Sequence, residues 1–188
     1  TYYATNRNKR SLTLDMQSEE GKKLARRLCL KADVVLENFR PDVMPRLKLD
    51  YDSLTQDHPR LVYASISGFG ADGPDMNLGA FDLTIQAVGG YMSITGERGA
   101  APIKLGTSAF DMLAGMNCHA AILAALLQRS TSGKGQKVET SLLEAEVAFL
   151  VNAALEYLIT GVEPQKWGSE HAQQVPYKAF RTADGWAV

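Results

Sequence analysis

The stretch LVYASISGFG (61–70) decides the fold. It is a run of apolar and small residues that ends in a glycine-rich loop, which is typical of a strand buried on both faces of a sheet. A similar run, DVVLENF (33–39), precedes it, and a helical pattern with Ser18 as its N-cap occupies 18–32. SLTLDM (11–16) also has the composition of a strand. This alternation of strands and helices predicts an α/β fold with a parallel sheet and right-handed crossovers.

Helical patterns dominate the chain after about residue 80. The sequence predicts one helix in AFDLTIQAVGG (80–90), a long helix over 110–130, and a short strand or extended segment followed by an apolar helix within 137–159. A linker-like run follows, and YKAFRTADGWAV (177–188) predicts two strands around the turn at 183–185.

Composition excludes several classes of protein. The chain has 188 residues, 45% of them hydrophobic and 22% charged, as in an ordinary globular domain. A net charge of −1 argues against a general nucleic-acid surface. Residues 7–48 carry an excess of basic side chains, which either cover solvated helix faces or serve a phosphorylated ligand.

Two further features concern the compartment. Cys29 and Cys118 are far apart in helical patterns, so we expect neither a disulfide nor a metal site, and a reducing compartment fits. The uncharged stretch 112–128 falls short of the ~20 apolar residues that a bilayer requires, so we interpret it as a buried core helix and expect no membrane association. We expect the protein to be cytoplasmic, or mitochondrial in a eukaryote.

Common catalytic motifs are weak or missing. GFGADG (68–73) matches the dinucleotide-binding pattern, but Pro74 follows it where that motif needs a helix to begin. The three histidines have no metal-ligand spacing, and His119, on an apolar helix, is expected to be a core residue. No G-x-S-x-G motif indicates a serine hydrolase.

Asp111, in LGTSAFDMLAG (105–115), is the sharpest candidate. It lies at the start of a long helix with no further charged side chain until Arg129. An aspartate at a helix start is commonly a cap. The same position, near backbone N–H groups and the helix dipole, would keep a carboxylate ionised and able to attack an acyl carbon. The residues alone leave both interpretations open.

Five segments in order resemble one family across nearly the whole chain. The sequence is similar to the class III CoA-transferases, also called the CaiB/BaiF family, in NRNKRSLTLDM (6–16), ADVVLENFRP (32–41), SISGFGADGP (65–74), DMLAG with AAILAALLQRSTSGKGQKV (120–138), and WGSEHAQQVPYKAFRTADG (167–185).

The resemblance implies that Asp111 is the family's catalytic aspartate. In such enzymes the carboxylate attacks an acyl-CoA thioester, giving a mixed anhydride and CoA thiolate, and the thiolate then forms an aspartyl-CoA thioester that an acceptor carboxylate attacks. It implies acyl-CoA and carboxylic acid substrates, with coenzyme A entering as substrate, and no permanently bound cofactor or metal. Residues 167–180 are most similar to members that use succinyl-CoA and dicarboxylic acids.

The resemblance also implies CoA contacts, by position alone. Arg40 and Arg46 could pair with phosphates, and Phe39 could lie against the adenine or ribose. The alternative for all of these residues is ordinary strand-end and helix packing. The residues aligned with the family's CoA site are Leu14, Asp15, Met16, Gln17, Asn38, Phe39, Arg40, Arg46, Leu78, Gly79, Ala80 and Phe81.

Two alternatives to a transferase are kept. Related 2-methylacyl-CoA racemases pair a histidine with the aspartate, and that histidine aligns with Phe81, which cannot transfer a proton. This difference favours transfer over racemisation. The other alternative is a non-catalytic remnant that binds CoA.

The family's architecture predicts the domain organisation. We expect residues 1–160 to form part of a Rossmann-like large domain with the CoA site and the catalytic aspartate, and 161–188 to form a linker and the start of a small domain. The resemblance implies an interlocked homodimer in the parent protein. The chain's ends predict a piece of a longer protein, so we expect the 188 residues alone to be inactive.

Overall fold

The computed structural model describes residues 2–188 and contains the expected parallel sheet. Its strands β1 (Val34–Glu37), β2 (Val62–Ser67) and β3 (Lys137–Ser141) lie in the order β1-β2-β3, and both pairings are parallel. Two short antiparallel strands, β4 (Phe180–Arg181) and β5 (Trp186–Ala187), form the expected C-terminal hairpin. The predicted α/β fold is therefore confirmed.

Within residues 2–188, two helices precede β1, and the other helices connect the strands. The two long helices are α7 (Ala109–Ser132) and α8 (Leu142–Thr160), and α8 contains a kink at Val151. The helices are α1 (Tyr2–Thr5), α2 (Glu19–Cys29), α3 (Val43–Leu47), α4 (Tyr51–Thr55), α5 (Asp82–Val88), α6 (Tyr91–Ile94), α7 (Ala109–Ser132) and α8 (Leu142–Thr160).

The strand expected at 11–16 is absent. This segment has no regular secondary structure and pairs with no strand among the described residues, so it lacks the ladder that defines a strand. The backbone then turns at Asp15, whose Oδ1 accepts the N–H of Gln17 at 2.9 Å, and leads into α2. The apolar side chains of Leu14 and Met16 pack against the core beside α2. Their strand-like pattern thus reflects one-sided burial.

Two hydrophobic clusters cover the two faces of the sheet. Tyr63 and Ile66 point to opposite faces of β2, because successive strand residues alternate. Tyr63 packs with residues of α2, α3 and α4, whereas Ile66 packs with Ile85 of α5 and Phe110 of α7. The second cluster positions the start of α7 against α5 and the sheet.

The long helix α7 is less buried than the sequence predicts. Its buried residues form one stripe, whereas His119 is exposed, so the expectation of a core histidine is wrong. By length and composition α7 could cross a membrane, but core helices of soluble proteins meet the same criteria. Its contacts with β2, β3 and α8 place it within the fold. The buried stripe consists of Phe110, Ala114, Cys118 and Ala125.

Arg129 fixes the far end of α7 to the sheet. Its Nη1 donates to the backbone oxygens of Asp33 at 3.3 Å and Arg60 at 3.0 Å, and its Nη2 donates to the Asp33 carboxylate at 2.9 Å. Asp33 and Arg60 lie just before β1 and β2. The helix axis is thus anchored at one end while its N-terminus carries Asp111.

Candidate active site

Asp82, at the start of α5, caps the N-terminus of α7. Its Oδ2 accepts the backbone N–H groups of Phe110 at 2.8 Å and Asp111 at 3.2 Å. Ser108, the N-cap residue of α7, makes no side-chain capping bond, so Asp82 supplies it from another helix. Asp82 is 7% exposed. A buried carboxylate therefore satisfies two of the N–H groups that a helix start leaves unpaired.

Gln86 holds the other oxygen of Asp82. The side-chain amide N–H of Gln86 donates to Asp82 Oδ1, and its Oε1 accepts the backbone N–H of Leu105 at 2.8 Å. Gln86 is completely buried. One glutamine thus joins the Asp82 carboxylate to the loop that leads into α7.

The Asp111 side chain stands outside this network. It lies at the third helical position of α7, is exposed, and its carboxylate accepts no hydrogen bond from any residue in 2–188. Partial burial raises the pKa of Asp111 above its ordinary value, and the charge of Asp82 raises it further. The expectation that nearby N–H groups favour its ionised form is wrong, because Asp82 accepts those N–H groups. Capping is not the role of Asp111 either.

We expect Asp82→Ala to destabilise the protein by about 2 kcal/mol, because it leaves the N–H groups of Phe110 and Asp111 without an acceptor. Urea unfolding followed by circular dichroism measures the change. Asp72→Ala is the matched control, since Asp72 is exposed. Equal free energies of unfolding for the two variants would contradict the capping role.

Glu146 is a candidate residue of the active-site region that the sequence analysis did not identify. It is completely buried on α8, where its Oε1 accepts the N–H of Tyr91 at 3.1 Å and its Oε2 has no partner in 2–188. Gly89 leaves room for it, because a Cβ there would collide with the Glu146 carboxyl group. Burial raises the pKa of Glu146 to about 7, the Tyr91 N–H opposes this rise, and Asp82 adds to it. The sequence does carry one indication of this residue, because Glu146 is an acid on the same apolar helix face as Leu142 and Ala145.

Only some of the predicted CoA contacts come together. Phe39 and Arg40 line an open cavity of about 330 Å³ beside the C-terminal ends of β1 and β2. Arg40 also donates to the backbone oxygen of Asn77 at 3.2 Å. Arg46 does not line this cavity, and its guanidinium pairs with Asp42 at 3.2 Å. Of the predicted CoA contacts only Phe39 and Arg40 line this cavity, and its lining also contains the acidic residues Glu37, Asp50, Asp52 and Glu139.

The remaining candidates have structural contacts of their own. The Asn38 side chain donates to the backbone oxygen of Ile66 at 2.6 Å. In the segment 78–81, Ala80 packs against the second cluster, whereas Leu78 and Phe81 are exposed. Phe81 immediately precedes Asp82, which places this segment next to the start of α7. No group of three His, Cys, Asp or Glu side chains within 2–188 could hold a metal ion.

Comparisons with known proteins agree on one family. The family model described as CoA-transferase family III matches residues 1–188. The whole chain is 42% identical to a succinate–glutarate CoA-transferase of Agrobacterium fabrum, covering 47% of it, and 36% identical to a human succinyl-CoA:glutarate CoA-transferase, covering 43% of it. The crystal structure of a CaiB/BaiF family protein from Brucella suis superposes with a TM-score of 0.91 at 40% identity, over 98% of this chain and 49% of that chain.

The chain thus spans about half the length of these relatives. The match nevertheless extends over all of its residues, and the fold agrees with it. The chain belongs to CoA-transferase family III.

Proposed function

We propose that the whole protein moves CoA from an acyl-CoA to a carboxylic acid, with Asp111 as the nucleophile. The observation that carries this proposal is a carboxylate at the start of α7 that accepts no hydrogen bond from residues 2–188, next to a buried acid that accepts the neighbouring N–H groups. A carboxylate with a raised pKa is the stronger nucleophile when ionised. The backbone of Asp111 is thus held by Asp82, while its carboxylate remains available to attack an acyl carbon.

The reaction proceeds by acyl exchange at one carboxylate. An Asp111 oxygen attacks the thioester carbon, the C–S bond breaks, and a mixed anhydride and CoA thiolate result. The thiolate attacks the aspartyl carbon, releases the donor acid, and leaves an aspartyl-CoA thioester. The acceptor carboxylate attacks the carbonyl carbon of this thioester, the C–S bond breaks, and a second mixed anhydride and CoA thiolate result. The thiolate then attacks the acceptor's carbonyl carbon, which forms the new acyl-CoA and releases the Asp111 carboxylate. The reaction consumes no water, and water would hydrolyse the anhydride and thioester intermediates, so it must be excluded from the site.

Succinyl-CoA and a dicarboxylic acid are the proposed substrates. The names of the Agrobacterium and human relatives support this choice, because both refer to succinate or succinyl-CoA together with glutarate. The cavity beside Phe39 and Arg40 supports a CoA site at the C-terminal edge of the sheet, where α/β proteins commonly bind ligands. The segments 14–17 and 78–81, with Asn38 and Arg46, complete the proposed site.

The domain organisation is part of the proposal. Residues 1–160 form part of a Rossmann-like large domain, and 161–188, which contain only the β4–β5 hairpin, form a linker and the start of a small domain. The parent protein is an interlocked homodimer. Exposed apolar side chains on α7 and α8, among them Leu127 and Leu158, are consistent with further chain packing there. Residues 1–188 alone are inactive, since the relatives are about twice as long.

Mass spectrometry of the whole protein tests this function. After a brief incubation with succinyl-CoA, a quench and peptide mapping, we expect a CoA or succinyl adduct, or its hydroxylamine-trapped product, on the peptide that contains Asp111. Deuterium wash-in at the acyl α-carbon without an adduct would instead indicate the racemase. The absence of both the adduct and the deuterium wash-in would indicate a non-catalytic CoA-binding protein.

A further inference from the structure

Gln86 is a buried polar residue that contacts the start of α7 through Asp82 and that the proposed reaction itself does not use. Its side chain is completely enclosed, and both ends of the amide are occupied. The N–H end meets the Asp82 carboxylate and the oxygen end meets the N–H of Leu105. This arrangement fixes the orientation of the amide, because the Asp82 carboxylate can only accept a hydrogen bond and the Leu105 N–H can only donate one.

We infer that Gln86 is a positioning residue for the acyl transfer: it orients the Asp82 carboxylate so that Asp82, and not Asp111, accepts the N–H groups at the start of α7. This inference rests on the proposed function of Asp111. Asp82 Oδ1 accepts only the Gln86 amide among the described residues, whereas Oδ2 accepts the N–H groups of Phe110 and Asp111. Gln86 thereby holds the carboxylate in place.

Removing the amide has a definite consequence for Asp111. Without Gln86, Asp82 Oδ1 becomes a buried carboxylate oxygen with no donor, so the carboxylate rotates or binds a proton. Its hold on the two N–H groups of α7 then weakens, and the loop that ends at Leu105 loses its own acceptor. Both changes displace Asp111 from the position in which it attacks the thioester, and a small displacement of a reacting group is costly.

A carboxylic acid at this position gives a diagnostic pH dependence. In Gln86→Glu, the protonated acid can donate to Asp82 and accept from Leu105, as the amide does. Once ionised, it can no longer donate, and it repels Asp82. The other acids whose charges couple to Asp82 are Asp111 on α7 and Glu146 on α8. They disfavour ionisation of the new acid but leave the direction of the effect unchanged.

Adduct formation in the whole protein tests the inference. The rate of succinyl-CoA adduct formation on the Asp111 peptide is measured for the wild type, Gln86→Leu and Gln86→Glu. The matched controls are Gln56→Leu and Gln56→Glu, at an exposed glutamine that ends α4. We expect Gln86→Leu to lower the maximal rate about tenfold or more while the half-saturating succinyl-CoA concentration changes less than about twofold.

The pH series distinguishes positioning from a general loss of structure. We expect Gln86→Glu to approach the wild-type rate near about pH 5.5 and to fall about tenfold below it near about pH 8, with no such fall in Gln56→Glu. Rates of both Gln86 variants within about twofold of the wild type at every pH would overturn the inference. If Gln86→Leu does not fold, the pH dependence of the adduct-formation rate of Gln86→Glu alone tests the inference.

Hydrogen exchange gives a readout that does not depend on activity. The backbone amides of Leu105, Phe110 and Asp111 are expected to exchange about tenfold faster in Gln86→Leu than in the wild type and the Gln56 variants. We expect the same increase in Gln86→Glu at about pH 8. Unchanged exchange would overturn the inference even if the wild type forms no adduct. A wild type without an adduct would contradict the proposed function, so the two failures are distinguishable.

Discussion

Asp111→Asn is expected to reduce CoA transfer by the whole protein at least about a thousandfold, because it replaces the proposed nucleophile with an amide of the same shape. An amide oxygen carries no full negative charge and forms no stable anhydride with an acyl group. The Asp111 side chain accepts no hydrogen bond within 2–188, and its backbone N–H remains bonded to Asp82. The loss is therefore chemical, and the free energy of unfolding should change by less than about 0.5 kcal/mol.

Chromatographic measurement of glutaryl-CoA formed from succinyl-CoA and glutarate checks this result. Asp72→Asn, at an exposed aspartate, is the matched control and is expected to retain the wild-type rate. Urea unfolding of the same samples establishes that the variant is folded. Undiminished transfer by a folded Asp111→Asn variant would show that the nucleophile lies elsewhere.

Glu146→Gln is expected to stabilise the protein at alkaline pH and to have little effect at acid pH. The pKa of Glu146 is raised from 4.5 to about 7 in the folded state, so the folded state holds its proton over a pH range in which the unfolded state has released it. Stability therefore falls as pH rises from the unfolded pKa to the folded one, and the loss is complete above both. At about 1.4 kcal/mol per pH unit, the cost is roughly 3 kcal/mol.

The amide removes this ionisation and retains an oxygen for the Tyr91 N–H. Urea unfolding near about pH 5 and near about pH 8 should thus show a gain for the variant that grows with pH, up to roughly 3 kcal/mol. Glu156→Gln, on the exposed part of the same helix, is the control and should follow the wild type. A constant difference between Glu146→Gln and wild type at both pH values would exclude a buried acid with a raised pKa.

Local pattern was sufficient for the sheet. The strands β1 and β2 carry apolar runs, whereas β3 has β-branched residues only at alternate positions, Val138 and Thr140. The helix after β3 has Ser141 as its N-cap, in a capping box completed by Glu144. The segment 11–16 has a similar composition, yet no neighbouring strand pairs with it. Strand composition describes a half-buried surface, and only a partner makes it a strand.

The candidate site was less accessible to sequence reasoning, because its decisive contacts are non-local. The position of Asp111 suggested a cap, but the acceptor for the N–H groups of α7 is Asp82, 29 residues earlier in the chain. Gln86 and Glu146 lie within apolar helical patterns, and the sequence alone does not show which polar groups they face. The resemblance to a family assigned the catalytic role to Asp111, whereas only the fold identified Asp82 and Gln86 as the residues that hold the start of its helix.

The collision between a side chain at Gly89 and the Glu146 carboxyl group links two positions that lie 57 residues apart. The turn between α5 and α6 has space for the acid only because glycine stands there. A larger residue at position 89 therefore requires the Glu146 carboxyl group to move, so the effects of substitutions at positions 89 and 146 on stability are expected to be coupled.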